Sequence, residues 1–284
     1  GLGILWHSGY FRQRFWFKDG QIPEKLHWHP RAYPGLIPLK NIVKIKLNNE
    51  VIHLRLWKYY VYSYKRDYAI PLILLDSEIS SNSERIRGLT DQLYRSDYAW
   101  VKIMQRAVLG FGGIAALREL GYNIDIFHLN EGHAAFAFIE SCRGLSDDKI
   151  EEMKKKFVYT CHTPVEAGHD RFPKEELKAV FDKEDYLLAS KFGEDKTGAI
   201  NLTTLAINIA SSVNAVSKSH QRVMNIQFPQ YKERMGYVTN GVHPYTWISE
   251  EFLRVFKNFP SVFKNVEENP MVLERAKELK GDEA

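Results

Sequence analysis

From Ile124 onward the sequence alternates short apolar runs with stretches of helical period, and nothing else in it constrains the fold as strongly. Ile124–Leu129, Phe157–Thr160, Val213–Val216 and Tyr237–Thr239 read as strands. Between them, Ala134–Cys142, the stripe of Leu202, Leu205, Ala206 and Ile209, and the run from Gln221 read as helices. Parallel strands need a crossover of roughly a dozen residues or more, usually a helix. The spacing therefore predicts a doubly wound parallel α/β sheet with helices on both faces.

The first third reads differently. Ile42–Leu47 and Val51–Leu56 each alternate apolar and polar residues about the turn Asn48-Asn49-Glu50, which predicts an antiparallel hairpin with one buried face. Val61–Tyr64 and Ala69–Leu75 read as two further strands, and Pro71 places the second at an edge or at its own start. Trp100, Ile103, Met104, Ala107 and Val108 form a helical stripe, with a break expected at Gly110, Gly112 and Gly113 before Ile114, Leu117 and Leu120 resume it. After Ile248 the chain reads as charged, amphipathic surface helices.

Composition removes several function classes. A net charge of +4, spread over both halves of the 284 residues, argues against a nucleic-acid surface. No run approaches the roughly 18 apolar residues of a membrane span. Two cysteines, Cys142 and Cys161, make neither a disulfide framework nor a paired metal site and fit a reducing, cytoplasmic compartment. His128, His133, His162 and His169 lack the spacing of a zinc site, so no metal is expected. Gly110-Phe-Gly112-Gly113-Ile-Ala115 matches a relaxed dinucleotide fingerprint, but a helical stripe rather than a strand precedes it.

Ligands of open α/β sheets bind beyond the carboxyl ends of the strands. Those ends carry His128-Leu-Asn130-Glu131-Gly-His133, Cys161-His162-Thr163-Pro164, Ser217-Lys-Ser-His220 and Asn240-Gly-Val-His243. Such groups suit the hydrogen bonding of a polyol, although each could equally cap a helix. Glu131 and Asp97 are candidates for a carboxylate pair of the hydrolytic kind, but spacing alone does not pair them.

At these positions the sequence resembles the α-glucan phosphorylases, in particular the short bacterial and archaeal type. The blocks are Gly9–Arg14, Leu89–Tyr94 with Asp97, Leu109–Gly113, His128–Phe136, His162–Pro173, Val213–Ser217 with His220, and Thr239–His243 with Trp247. The resemblance implies a Rossmann-like N-terminal lobe of a GT-B glycosyltransferase, with residues 1–242 as that lobe, incomplete at its start. Residues 243–284 would be crossover helices leading to a C-terminal lobe that this sequence does not contain. It implies reversible phosphorolysis of α-1,4-glucans to glucose 1-phosphate, with glucan and inorganic phosphate as ligands and a homodimer as a plausible assembly. It implies pyridoxal phosphate on a lysine of the other lobe, so that this piece alone would be inactive.

Residue by residue, the resemblance gives His162 the catalytic position, its main-chain carbonyl facing the developing oxocarbenium charge. His162 and Asn240 would hold the terminal glucose around its 6-hydroxyl, Asp97 would lie in a mobile loop, and Asn130, Glu131 and His133 would line the sugar side of the cleft. Lys102 stands where the family usually has Arg, Arg106 where it has Glu, and Arg95-Ser96 where it has Gly-Gly. An inactive glucan-binding lobe, or one piece of a split enzyme, is the alternative.

Overall fold

The computed structural model describes residues 1–8, 12–16, 20–24, 28–93, 99–266 and 269–279. They fall into two compact units, Gly1–Val238 and Thr239–Ala284.

The first unit opens with strands β1 (Leu2–Ile4), β2 (Arg12–Trp16), β3 (Gly20–Glu24), β4 (Ile37–Leu47), β5 (Glu50–Tyr62) and β6 (Ala69–Asp76). β2 and β3 pair with each other, and the rest form a sheet in the order β1-β6-β5-β4. The expected hairpin is present: Ile45 lies opposite Ile52 and Leu47 opposite Glu50. Val43, Ile45, Leu47, Ile52, Leu54 and Leu56 supply its buried face. Val61–Tyr64, however, is not a separate strand. β5 runs unbroken to Tyr62, which lies opposite Ala69, because Trp57-Lys-Tyr-Tyr60 contains strand formers and no turn residue.

Pro71 sits within a central strand, not at an edge or at its start. The Ile73 amide donates to Gly1 at 2.9 Å and the Gly1 amine to the Pro71 carbonyl at 2.7 Å. The ring nitrogen of Pro71 therefore faces the β1 side, where pairing begins only at Leu2 opposite Ile73, and no ladder bond is lost.

Helix α1 (Glu84–Arg87) precedes α2 (Ala99–Glu119), which passes without interruption through the glycines that the sequence suggested as a break. Glycine costs a helix about 1 kcal/mol relative to alanine, so close packing must offset it. A Cβ at Gly110 would stand 2.6 Å from the Ala137 amide nitrogen, one at Gly112 2.4 Å from Leu54 Cδ1, and one at Gly113 2.8 Å from Leu2 Cδ2. The three glycines are the places where other elements touch the helix axis.

Beyond α2 come β7 (Phe127–Asn130), α3 (Phe136–Cys142), α4 (Asp147–Lys154), β8 (Phe157–Cys161), β9 (Arg171–Phe172), α5 (Lys174–Val180), α6 (Lys183–Gly193), β10 (Ile200–Asn201), α7 (Leu202–Ile209), β11 (Ser212–Ala215), α8 (Lys218–Gln227) and β12 (Met235–Tyr237). β9 pairs with β10, and the other four strands form a fully parallel sheet in the order β12-β11-β8-β7. This is the expected α/β architecture with an antiparallel segment ahead of it. The order moves in one direction only, so the reversal of a doubly wound sheet does not lie within these strands. One buried cluster joins both sheets through α2, with Phe111 packed 5.3 Å from the Phe181 ring and 6.4 Å from the Phe136 ring. The second unit contains α9 (Pro244–Trp247) and the amphipathic α10 (Glu250–Asn258).

One buried ion pair makes stability depend on pH. Asp76 accepts from His7 Nε2 at 2.8 Å and from Trp57 Nε1 at 2.9 Å. Burial alone would raise the Asp76 carboxyl, but the bonds from His7, Trp57 and the Glu78 amide outweigh it and hold it below its ordinary value. The bond to Asp76 raises His7 in turn, against the opposing effect of burial. For a raised histidine the contribution is complete below its unfolded pKa of about 6.5 and is lost as pH climbs through the folded value. For the lowered aspartate it is present above about 3.9 and is lost as pH falls. Urea unfolding should therefore show the pair contributing more at pH 5.5 than at pH 8.5. His7→Gln should flatten that difference; an unchanged slope in the variant would refute the assignment.

Candidate active site at the strand ends

The register of the parallel sheet sets the site. Asn130 of β7 lies opposite Thr160 of β8, and Ala215 of β11 opposite Cys161, which brings the carboxyl ends of these strands level. Along them runs a row of hydrogen bonds, with His128 Nε2 2.8 Å from Thr160 Oγ1 and Thr160 Oγ1 donating to Asn214 Oδ1 at 3.2 Å.

Glu131 stands at the centre. Its φ of +71° is one a non-glycine residue seldom adopts. That backbone turns the buried carboxylate back toward the end of β8 rather than out into the crevice. Oε1 accepts from the amides of His162 and of Thr163, the latter at 2.7 Å, while Oε2 accepts from the Gly132 amide at 3.3 Å. The Cys161 thiol also points at Oε1, at 3.7 Å.

The turn after β8 is gripped from its other side as well. The Val216 amide donates to His220 Nδ1 at 3.4 Å, so Nε2 carries the proton and donates to the Thr163 carbonyl at 3.1 Å. Ser217 caps α8 by accepting from the His220 amide at 3.0 Å and so fixes the imidazole's height. Gln227 Nε2 donates to the Pro164 carbonyl at 2.9 Å, which leaves its Oε1 to accept from His169 Nε2 at 3.1 Å. His169 Nδ1 then accepts from Thr203 Oγ1 at 2.8 Å. The segment His162–His169 is thus held at both its amides and its carbonyls, and His162, half-buried, is presented by a rigid turn.

A second cluster surrounds Asp170. Arg106 Nε donates to Oδ2 at 2.7 Å, Lys102 Nζ lies 3.8 Å from Oδ1, and His133 Nε2 lies 3.9 Å from Oδ2. Burial and the neighbouring Arg106 charge push the His133 pKa down, with Asp170 pulling the other way. Lys102 and Arg106, four apart on α2, therefore face the same carboxylate. Lys102, Asp170 and Arg171 also border an open cavity of about 650 Å³.

The structure brings His162, Glu131 and His133 together with the exposed Asn130 at the strand ends of the first unit. Asn240 belongs to the second unit. Asp97, with Arg95 and Ser96, lies outside the described residues. The sequence did not reveal that His220 and Gln227 act on the β8 turn, since neither their identity nor their spacing to residue 163 carries a signal; only the level ends of β8 and β11 do.

The cysteines give a chemical check on this packing. Both are buried and free, and burial pushes the Cys142 and Cys161 thiols up to about 12. At pH 8 only about one thiol in ten thousand would be ionised in the folded chain. Iodoacetamide should label neither residue until the chain unfolds, with the rate following urea; rapid labelling of the native chain would contradict the packing.

A parallel α/β sheet with polar residues gathered at the carboxyl ends of its strands is the arrangement of a ligand-binding α/β lobe and is consistent with a GT-B-like glycosyltransferase lobe. A family model described as starch synthase catalytic domain matches residues 26–240, and the chain belongs to that family. It is 31% identical over 301 residues to a glycogen phosphorylase of Mycobacterium tuberculosis, covering 89% of this chain and 33% of that protein. It is 30% identical over 287 residues to a maltodextrin phosphorylase of Thermococcus litoralis, covering 91% of this chain and 33% of that protein. A glycogen phosphorylase of Aquifex aeolicus is 28% identical over 291 residues, with 91% of this chain and 40% of that protein covered. The chain thus spans between a third and two fifths of the length of these three relatives. Among the described residues no helix is long and apolar enough to cross a membrane.

Proposed function

We propose that this chain supplies the glucan-side half of the active-site cleft of an α-glucan phosphorylase, which releases glucose 1-phosphate from α-1,4-glucans. The observation that carries the reading is the doubly anchored turn at His162. With its amide and the next one bonded to Glu131 and the following carbonyl bonded to His220, the His162 carbonyl has a fixed direction. A fixed dipole stabilises a charge that develops in the transition state without reorganising at that moment. His162 is the residue assigned to face the oxocarbenium charge, Asn130 and His133 would border the bound glucose, and Asn240 and Asp97 would complete the substrate contacts.

Glu131 is a positioning residue in this reading. Its carboxylate is occupied by main-chain amides, which counts against a hydrolase built on Glu131 and Asp97.

The resemblance also implies pyridoxal phosphate. Lys102 is turned to Asp170, and the resemblance places the Schiff-base lysine in the other lobe. The test is phosphate-dependent release of glucose 1-phosphate from maltodextrin by the product of the complete reading frame, supplied with pyridoxal phosphate. Release is expected from that protein and none from the 284-residue chain. Glucose release without phosphate would overturn the proposal.

A further inference from the structure

The main chain of Asp170 is pinned to the start of α7. Its carbonyl accepts from the Leu202 amide at 3.0 Å, and Asn201 caps the same helix end by accepting from the Thr203 and Thr204 amides at 2.8 and 3.0 Å. The turn that carries His133 rests on that helix end too, since a Cβ at Gly132 would stand 3.1 Å from the Leu202 carbonyl carbon. The start of α7 therefore sets how far His133 and Asp170 lie apart, and side-chain rotation is what can close the gap.

Three groups compete for the Asp170 carboxylate, which is 9% exposed. Arg106 Nε holds Oδ2 at 2.7 Å, from a side chain that is itself 10% exposed. Lys102 Nζ stands 3.8 Å from Oδ1 and is 34% exposed, so water screens its charge. His133 Nε2 faces Oδ2 at 3.9 Å, beyond hydrogen-bond reach. Around the imidazole, α2 thus presents Lys102 and Arg106, the segment after β8 presents Asp170, and the turn of His133 itself presents Glu131. Helix α7 carries no titratable residue. Burial and Arg106 outweigh the pull of Asp170 and Glu131, so the ring is held uncharged.

The charge state decides what the ring can offer a sugar. A neutral imidazole has one nitrogen that accepts and one that donates, whereas the imidazolium only donates. Without Arg106, Asp170 would be a buried carboxylate in need of a partner, and the ring 3.9 Å away is placed to become that partner. Arg106 is also a departure from the phosphorylase pattern, which usually has Glu there, a side chain that could not take up Asp170. We propose, resting on the phosphorylase reading for the identity of the sugar, that Arg106 is a positioning residue of the glucan site. By taking up the Asp170 carboxylate it keeps that group from capturing His133, and so leaves His133 to a sugar hydroxyl.

Two measurements on Arg106→Gln test this. In the 284-residue chain, NMR titration of the His133 ring should show its midpoint moved upward, because the repelling charge is gone and Asp170 is unopposed. In the product of the complete reading frame, calorimetry with maltoheptaose should show binding weakened about tenfold or more at pH 6, where the captured ring is charged, and little changed at pH 8. An unmoved midpoint would mean that Lys102 takes over Asp170, and it refutes the proposal. A moved midpoint with unchanged affinity at pH 6 refutes the link to sugar. Should Arg106→Gln fail to fold, Arg106→Gln/Asp170→Asn decides, since it leaves neither buried charge unpaired. With no carboxylate to capture the ring, that variant should bind maltoheptaose within about threefold of the wild type at pH 6. A loss of about tenfold there overturns the proposal, because Arg106 would then act on the ligand itself. Neither measurement uses phosphate or turnover, so this inference and the phosphorylase reading can fail separately.

Discussion

Glu131→Ala is expected to destabilise the first unit by about 3–5 kcal/mol, because it leaves buried amides without their charged acceptor. The amides of His162, Thr163 and Gly132 all end on this one carboxylate. Glu131→Gln should be milder yet still costly. An amide oxygen can keep the bonds at Oε1, but the new NH2 group would face the Gly132 amide as donor against donor. Glu131→Gly separates the two features of the site. It loses the same hydrogen bonds but relieves a backbone held at φ +71°, so it should be more stable than the alanine variant by about 1–2 kcal/mol. Urea unfolding of the three variants reads this order directly. On the phosphorylase reading proposed above, the alanine variant of the complete protein should lose more than about 100-fold in kcat, with a smaller change in KM for maltodextrin. A variant equal to the wild type in both stability and turnover would remove Glu131 from the anchoring role.

Gly110→Ala is the second large effect, and propensity predicts its opposite. In an isolated helix the change would stabilise by about 1 kcal/mol. In this fold the added Cβ would lie 2.6 Å from the Ala137 nitrogen and 2.7 Å from the Phe136 carbonyl carbon. These are main-chain atoms at the start of α3 and cannot rotate away, so α2 and α3 must part. A loss of about 3 kcal/mol is expected, or roughly 6–12 °C in melting temperature. Gly112→Ala makes the useful comparison. Its nearest neighbour is the end of the Leu54 side chain at 2.4 Å, which can change rotamer, so the loss should be smaller. If Gly110→Ala proved as stable as the wild type, the close α2–α3 contact would be wrong.

The same glycines show what could be read along the chain and what could not. The stripe from Trp100 to Val108 declared a helix, but Gly110, Gly112 and Gly113 suggested that it ended. Local propensity favours a break, whereas burial of Phe111, Ile114 and Ala116 in a core shared with elements distant in sequence favours continuation. The tertiary contacts prevail because they bury far more apolar surface than three glycines cost. Pro71 misled for a related reason. Its missing N–H points to an edge position or a strand start, but in a central strand what matters is which neighbour that nitrogen faces and where the neighbour begins. Val61 and Tyr62 continue β5 because no turn residue separates them from Trp57-Lys-Tyr-Tyr60.

For the site, the residue types at the carboxyl ends of β7, β8 and β11 were legible, because parallel topology makes every such end a candidate. The use to which Glu131 is put was not. A carboxylate at a strand end reads as a ligand for sugar, and its engagement with the amides of His162 and Thr163 depends on a backbone angle that composition does not encode.

The sequence by itself determined the α/β class, the hairpin ahead of it and the gathering of His, Asn and Glu at strand ends, since each follows from a local period or turn. Only the tertiary structure decided that α2 is unbroken, that Glu131, His220 and Gln227 clamp one turn, and that Asp170 answers Lys102 and Arg106. Each of these joins residues far apart in the chain, and contacts of that kind are fixed by packing and by the need of buried polar groups for partners.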